Sequence, residues 1–123
     1  MHEMSIAQNV VQIVEAELAK LSHPATVTQI NLRVGNLRAV IPESLRFCFS
    51  VLAKGTVLQS ARLHIEQLPV RIECQSCKAG RYLDVPIFVC PECGSRDVRV
   101  VSGEELHIRS IEIEQPEARS AQC

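Results

Sequence analysis

Four of the six cysteines form two Cys-x-x-Cys pairs, and these pairs carry the clearest chemical pattern in the chain. Twelve residues separate Cys74 and Cys77 from Cys90 and Cys93. Two residues between ligands let both sulfurs of a pair face one ion, and four soft thiolates suit a tetrahedral Zn²⁺. The spacing therefore predicts a structural zinc site, in which a closed shell of thiolates leaves no coordination position for hydrolysis.

Two other uses of these thiols have weaker support in the sequence. Redox dithiols of the thioredoxin type stand singly within βαβ units, and this sequence has no such pattern. Iron in a rubredoxin-like site is compatible with the turn at residues 90–94, which reads Cys-Pro-Glu-Cys-Gly, and would make the protein an electron carrier. Cys48 and Cys123 stand outside these pairs. Cys48 lies between two phenylalanines and is expected to pack as a small buried residue, and no role is assigned to Cys123.

The N-terminal residues offer a second candidate metal site. A histidine at position 2 usually belongs to a solvated terminus, but here its bulk is expected to preserve Met1 and its α-amine. That amine, together with the amide nitrogen and the imidazole of His2, can close chelate rings on one ion. Glu3 can add its amide nitrogen, or a carboxylate that accepts a hydrogen bond from the imidazole. A nitrogen-rich, near-planar set of this kind suits Ni²⁺ or Cu²⁺.

Apolar periodicity predicts the elements that must position these residues. Spacings of three and four residues predict a helix over 5–21, capped by Ser5, and a second helix that begins at Pro42 and ends near Gly55. Alternation predicts strands at 30–35, 61–66 and 106–113, and in the last of these it slips by one residue at 109–110, as at a β-bulge. This last strand is too short to fold alone, so it is expected to rejoin the first sheet.

The cysteine segment interrupts that arrangement. Periodicity disappears over 73–102, where turn residues cluster beside the cysteines, and the twelve-residue gap between the two pairs, residues 78–89, is expected to form a short hairpin. A segment of about 30 residues cannot build an adequate core, so metal ligation would replace one. The sequence predicts an α+β fold, with two helices packed on a small three-stranded sheet and an inserted four-cysteine zinc-ribbon-like module. The expected domains are a discontinuous main domain, 1–72 plus 103–123, and a zinc-binding domain, 73–102.

Composition argues against several functional classes. With 13 basic and 14 acidic side chains, the net charge of −1 argues against bulk electrostatic binding to nucleic acid or anionic membranes. Apolar runs fall short of the roughly 20 residues of a membrane span, and the N-terminus lacks the pattern of a secretory signal, so a cytoplasmic protein is expected. Residues 54–56 lack the preceding glycine of a phosphate-binding loop, and no Ser/His/Asp set is visible. The chain is therefore not expected to be an enzyme.

Five stretches follow one another along nearly the whole chain in a recognisable order. They are Met1-His2-Glu3-Met4-Ser5, Gly35-Asn36-Leu37-Arg38, Leu45-Arg46-Phe47-Cys48-Phe49, Cys90-Pro91-Glu92-Cys93-Gly94-Ser95 and Ser102-Gly103-Glu104-Glu105-Leu106. Together they resemble the HypA/HybF family, the nickel metallochaperones for maturation of [NiFe]-hydrogenase. The Met-His-Glu start joined to this cysteine spacing is the specific part of the resemblance.

The resemblance implies roles for particular residues and partners. It implies that Ni(II) binds at His2 with help from the N-terminal backbone, including Met1, and that Glu3 supports binding and specificity. It implies structural Zn(II) at the four paired cysteines, and a nickel-binding domain of two helices on a three-stranded sheet. It further implies a GTPase partner, delivery to the hydrogenase large-subunit precursor and, in some bacteria, supply of urease. The sequence leaves monomer and homodimer open.

A different class of function remains as the alternative. Similar four-cysteine ribbons occur in adaptors that bind RNA or another protein and have no role in nickel delivery. The RNA-binding form of this alternative predicts a basic stripe, but acidic residues offset the basic ones around the cysteines.

Overall fold

The computed structural model describes residues 2–85 and 87–115 of the chain. Within these residues there are two α-helices, one 3₁₀ helix and six strands. In chain order they are α1 (Glu3–Leu18), β1 (Thr26–Gly35), a 3₁₀ helix (Asn36–Arg38), α2 (Pro42–Ala53), β2 (Arg62–Leu68), β3 (Val70–Cys74), β4 (Gly80–Leu83), β5 (Val98–Ser102) and β6 (Leu106–Glu114). The strands form two three-stranded sheets, in the orders β2-β1-β6 and β4-β3-β5. In the second sheet both pairings are antiparallel.

The described residues divide into two compact units. The first holds residues 2–32, 40–65 and 108–115, and the second holds Arg33–Ala39 and Glu66–His107. The α+β class with two helices is confirmed, and the last strand does join the first sheet beside β1. The finer domain boundaries expected from the sequence stay a prediction. No helix in the described part of the chain is long and apolar enough to cross a membrane.

The first unit is built around the apolar faces of both helices and of β1. Helix α1 buries one side, and α2 contributes a second row of buried residues spaced by four. The largest contributors are Val14 from α1, Ile30 and Leu32 from β1, Leu45 from α2 and Leu58 from the turn that follows. Each buried side chain of this size stabilises the fold by about 1.5–3 kcal/mol, because its apolar surface is removed from water. This burial holds α1 and α2 in place.

Helix α1 begins earlier than the sequence pattern predicted. Its N-cap is His2, whose side chain makes no capping hydrogen bond, and Ser5 lies inside the first turn, so the prediction of a Ser5 cap was wrong. The amides of Ser5 and Ile6 both donate to the carbonyl oxygen of His2, at 3.1 and 3.3 Å. Apolar periodicity marks the ends of helices poorly, so the prediction misplaced the N-terminal end of α1 but not the helix itself. The helix therefore starts directly beside the N-terminal residues of interest.

The second unit contains a sheet where periodicity predicted none. Strand β3 pairs with β4 through Val70 with Leu83 and Glu73 with Gly80, so the hairpin encloses the first cysteine pair. The hairpin was expected within the gap at 78–89, but the strand in that gap, β4, pairs instead with β3, whose residues precede the gap. Strand β5 pairs with the other edge of β3, with an irregularity between Arg71 and Ile72.

Two glycines let backbone segments of the second unit pass very close together. A Cβ on Gly35 would overlap the carbonyl oxygen of Gly103. Their separation is set by hydrogen bonds from the Gly35 amide to the Glu105 carbonyl, at 2.7 Å, and from the Leu37 amide to the Gly103 carbonyl, at 2.9 Å. Glycine at position 35 is thus required by space and not by its backbone angles, since φ there is −73°.

We expect Gly35→Ala to lower the free energy of unfolding by about 1–3 kcal/mol, because the added methyl group must displace backbone atoms. Urea denaturation followed by circular dichroism measures the change. The matched control is Gly55→Asn, at a position with φ of +80° and nothing within 4 Å of a Cβ, where asparagine is tolerated. Equal stability of Gly35→Ala and the wild type would contradict the close approach.

Candidate functional site

The two cysteine pairs meet at one point in the second unit. All four sulfur atoms lie within 4.8 Å of one another. The Cys74 and Cys93 sulfurs are 3.6 Å apart, and those of Cys77 and Cys90 are 3.7 Å apart. A tetrahedron with zinc–sulfur bonds of about 2.3 Å has sulfur–sulfur edges of about 3.8 Å, whereas a disulfide bond measures about 2.05 Å. The geometry therefore fits one tetrahedral ion and not two disulfides.

Each cysteine pair lies on the same backbone turn, repeated twice. In the first turn the Lys78 amide donates to the Cys74 carbonyl at 3.0 Å, and in the second the Gly94 amide donates to the Cys90 carbonyl at 2.8 Å. The amides of Cys74 and Cys90 in turn donate to carbonyls five residues later, at 2.9 and 2.8 Å. A hydrogen bond of 2.9 Å between the Ser76 and Ser95 hydroxyls joins the two turns. This repeated turn is what aims four sulfurs at a common centre.

Both turns place their fifth residue in the left-handed region. The φ angle is +64° at Lys78 and +76° at Gly94. Glycine adopts this conformation freely, while a lysine there costs about 1–2 kcal/mol. The sequence predicts turn residues in both places, but only the glycine of the second turn indicates a left-handed residue, because lysine rarely adopts this conformation.

Hydrogen bonds, burial and the neighbouring sulfurs lower the pKa of two of the thiols in the cluster and raise the pKa of the other two. The amide of Cys77 donates to the Cys74 sulfur at 3.4 Å and is the main reason that the pKa of Cys74 falls to about 6. The amide of Cys93 likewise lowers the pKa of Cys90. At Cys93 the Ser95 amide favours the thiolate, but the neighbouring sulfurs and burial outweigh it and raise the pKa to about 12.

Cys77 follows the same physical rule as Cys93. The Ala79 amide favours its thiolate, but burial and the sulfurs of Cys90 and Cys74 raise its pKa. Four anionic sulfurs this close would repel one another, and this repulsion contributes to the raised pKa values of Cys77 and Cys93. A divalent metal that binds here must displace the protons of these thiols, which makes its affinity fall as the pH falls.

Ion pairs flank the sulfur cluster without adding oxygen ligands to it. Arg81 contacts Glu92 at 2.6 Å and Arg99 contacts Glu73 at 2.7 Å. All four side chains are substantially exposed, so these pairs add little stability. Among the described residues, the group of side chains that could hold a metal ion consists of the four sulfurs, which favours zinc over hard cations such as Mg²⁺.

The N-terminal candidate site lies in the first unit. The structure describes His2, whose side chain is exposed, and Glu3; Met1 lies outside the described residues. One carboxylate oxygen of Glu3 accepts a hydrogen bond from the Ile41 amide at 3.2 Å. That amide is the main reason that the pKa of Glu3 is lowered. Ile41 was not singled out in the sequence, because a backbone donor leaves no residue-type signal.

The three other histidines and Cys48 belong to no candidate metal-binding group within the described residues. His23, His64 and His107 are exposed. Cys48 is half-buried on α2, more open than the buried position expected for it, and has no place in the sulfur cluster.

We expect Lys78→Gly to raise the free energy of unfolding by up to about 1 kcal/mol, because glycine removes the left-handed strain at this position. Gly94→Ala should lower it by about 1 kcal/mol for the same reason. Urea denaturation of metal-loaded protein measures both changes, and a stabilising Gly94→Ala would show that the two turns are not equivalent.

Comparison with known proteins gives a consistent result. The family described as "Hydrogenase/urease nickel incorporation, metallochaperone, hypA" matches residues 1–113. A hydrogenase maturation factor HypA from Geobacter metallireducens is 43% identical over 116 residues, which cover 93% of this chain and 100% of that protein. The HypA of Desulfatibacillum aliphaticivorans is 40% identical over 117 residues, or 95% of this chain and 90% of the relative.

Solved structures support the same fold. The solution structure of the Ni metallochaperone HypA from Helicobacter pylori superposes with a TM-score of 0.65 at 23% identity, covering 94% of this chain and all of that one. A second solution structure of a HypA protein gives a TM-score of 0.67 at 23% identity, with coverage of 93% and 97%. The match to residues 1–113 and the close relatives together establish that this chain belongs to the HypA family of metallochaperones for nickel incorporation.

Proposed function

We propose that this chain captures Ni(II) at its N-terminus and passes it on during maturation of [NiFe]-hydrogenase. The donors are the Met1 amine and the amide nitrogen and imidazole of His2, with Glu3 contributing its backbone or a supporting carboxylate. Family membership over residues 1–113 is the observation that carries the nickel role. The geometry of α1 then supports its placement at residues 1–3.

The start of helix α1 supports backbone ligation. The helix begins at Glu3, and the first amides of any α-helix have no carbonyl acceptor one turn earlier. A metal that replaces the proton of the His2 or Glu3 amide therefore breaks no hydrogen bond of the helix. Further inside α1 the same substitution would cost a buried or helical hydrogen bond, so only the terminus is open to this chemistry.

Charge at the helix start sets the strength of the site. The N-terminal end of a helix carries a partial positive charge that disfavours a cation. Deprotonated amides and the Glu3 carboxylate in the first turn supply compensating negative charge. A site of few side-chain ligands on exposed backbone exchanges its ion readily, as delivery requires. Nickel is thus cargo here, and not a permanent part of the fold.

The four-cysteine centre has the opposite character, and we assign it structural Zn(II). Four thiolate ligands close the coordination shell, so this ion stays in place and takes no part in hydrolysis. Cys74 and Cys90 are buried, which removes half of the shell from solvent. The ion supplies the cross-link that a unit with so few buried apolar residues cannot provide by packing alone.

Delivery requires partners, because the sequence has no phosphate-binding loop to drive release. We propose that a GTPase of hydrogenase maturation works with this chain and that the hydrogenase large-subunit precursor receives the ion. The description of the family also includes urease, so an apo-urease is a second acceptor to test. Neither role requires catalysis by this chain itself.

Replacing Cys93 by alanine should reduce the zinc content from about one ion per chain to a small fraction, because three thiolates leave the shell open. Metal analysis after dialysis at neutral pH measures the loss. Cys48→Ala is the matched control, since Cys48 lies outside the cluster, and it should keep its zinc. Full zinc retention by Cys93→Ala would contradict the assignment.

Replacing His2 by alanine in untagged, zinc-loaded protein should weaken Ni(II) binding at least about tenfold, since even outer-sphere changes at metal sites cost about 10–100-fold. Calorimetric titration measures the affinity, and zinc content should stay constant. The matched control is His107→Ala, at an exposed histidine on β6. Equal nickel binding by His2→Ala and wild type, or none by either, would favour a zinc-ribbon adaptor without a nickel role.

A further inference from the structure

The carboxylate of Glu3 extends from the start of α1 to the start of α2. Glu3 is half-buried, whereas His2 and Met4 on either side of it are exposed. One carboxylate oxygen accepts a hydrogen bond of 3.2 Å from the amide of Ile41, a residue 38 positions later in the chain. Both residues belong to the first unit. The first residue of α1 is therefore tied to the residue that precedes α2.

The start of α2 needs an acceptor that α2 itself does not supply. Ile41 is the N-cap of this helix and makes no side-chain capping hydrogen bond. In a capping box, a glutamate or glutamine at the third helical position accepts a hydrogen bond from the N-cap amide. The third position of α2 is Ser44, whose side chain is shorter than either of these. Glu3 of α1 takes this role instead.

The same contact helps to fix the peptide that offers an amide nitrogen to nickel. The carbonyl oxygen of His2 accepts hydrogen bonds from the amides of Ser5 and Ile6, so it points along α1. A trans peptide directs its N–H opposite to its C=O, so the Glu3 amide points away from the helix. Because α1 holds the carbonyl and Ile41 holds the side chain, the peptide between His2 and Glu3 has a fixed orientation.

We propose that the Ile41 amide is a positioning group for the nickel site and acts on it through the Glu3 carboxylate. In this arrangement the carboxylate is neither a nickel ligand nor the acceptor for the His2 imidazole, and Glu3 contributes only its backbone amide to the ion. The inference rests on the proposed function, since the donors that it positions are those of residues 1–3. It makes the start of α2 part of the architecture that binds the ion.

Position and charge both follow from this contact. An ion that binds a freely moving terminus must immobilise its backbone, which costs conformational entropy, and the hydrogen bond lowers that cost. The carboxylate also lies where both helices begin, and its charge offsets the partial positive charge of the two helix ends. Removing the Ile41 amide therefore weakens nickel binding through position alone, whereas removing the Glu3 carboxylate weakens it through both.

Calorimetric titration of Ni(II) into untagged, zinc-loaded variants tests the role of the Ile41 amide. Ile41→Pro removes this donor, and the φ of −93° at position 41 lies close to the range of proline. This variant should weaken Ni(II) binding about tenfold, as does the loss of other groups that orient metal ligands. Ile41→Ala keeps the amide and should lose far less affinity, because the side chain is 61% exposed.

Glu3→Ala should weaken Ni(II) binding at least as much as Ile41→Pro, because it also removes the charge. Adding Ile41→Pro to Glu3→Ala should cost little more, since both substitutions break the same hydrogen bond. Glu17→Ala is the matched control, because Glu17 is another exposed glutamate of α1, and it should bind Ni(II) as the wild type does.

The absorption spectrum of bound Ni(II) separates positioning from ligation, because it depends on the set of ligand atoms. At saturating Ni(II), Glu3→Ala and Ile41→Pro should both keep the spectrum of the wild type. A changed spectrum in Glu3→Ala, with wild-type behaviour of Ile41→Pro, would make the carboxylate a ligand and would overturn the proposal.

Hydrogen exchange at the Ile41 amide tests the contact in nickel-free, zinc-loaded protein. Glu3→Ala should speed this exchange several-fold and Glu17→Ala should not, while thermal unfolding confirms that every variant is folded. Unchanged exchange in Glu3→Ala, or Ile41→Pro that binds Ni(II) as tightly as the wild type, would overturn this inference alone. A wild type that binds no Ni(II) would overturn the proposed function as well, so the two failures are distinguishable.

Discussion

Repulsion among four thiolates is the constraint on which the second unit depends. The sulfurs of the two cysteine pairs approach within 3.6 and 3.7 Å, a distance at which all four cannot be anionic without a cation. The apolar residues buried nearby are few, chiefly Val70 and Ile72. A divalent ion resolves the repulsion and joins the two turns at once, so the same interaction supplies both charge balance and the missing core.

The two candidate metal sites differ because their backbones differ. The sulfur cluster is built on two rigid turns that are tied by the Ser76–Ser95 hydrogen bond and leave no ligand position free. The proposed N-terminal site would use amides that the helix geometry leaves without partners, so an ion bound there would enter and leave without disturbing the fold. Under this proposal a permanent ion and a transported ion coexist in one small chain, because each is held by backbone suited to its lifetime.

Local chemistry explains which elements could be predicted. Both helices and the strands of the first sheet follow apolar periodicity, and the exposure of β6 slips at Arg109 and Ser110, where the alternation slips in the sequence. Strands β3, β4 and β5 were not predicted, because short strands held together by a metal centre need no alternating apolar face. Residue types likewise predicted the sulfur donors, but the Ile41 amide that binds Glu3 has no residue signature.

Residue types and spacing were enough to predict the metal chemistry, because two Cys-x-x-Cys pairs are local arrangements that already favour one tetrahedral ion. The sequence also determined the family, through the order of its motifs along the chain. The folded structure was needed to show that the four sulfurs lie within 4.8 Å of one another, that Gly35 and Gly103 touch, and that Phe47 faces away from the core. These are contacts between residues far apart in the chain, or orientations set by packing, and no local pattern encodes them.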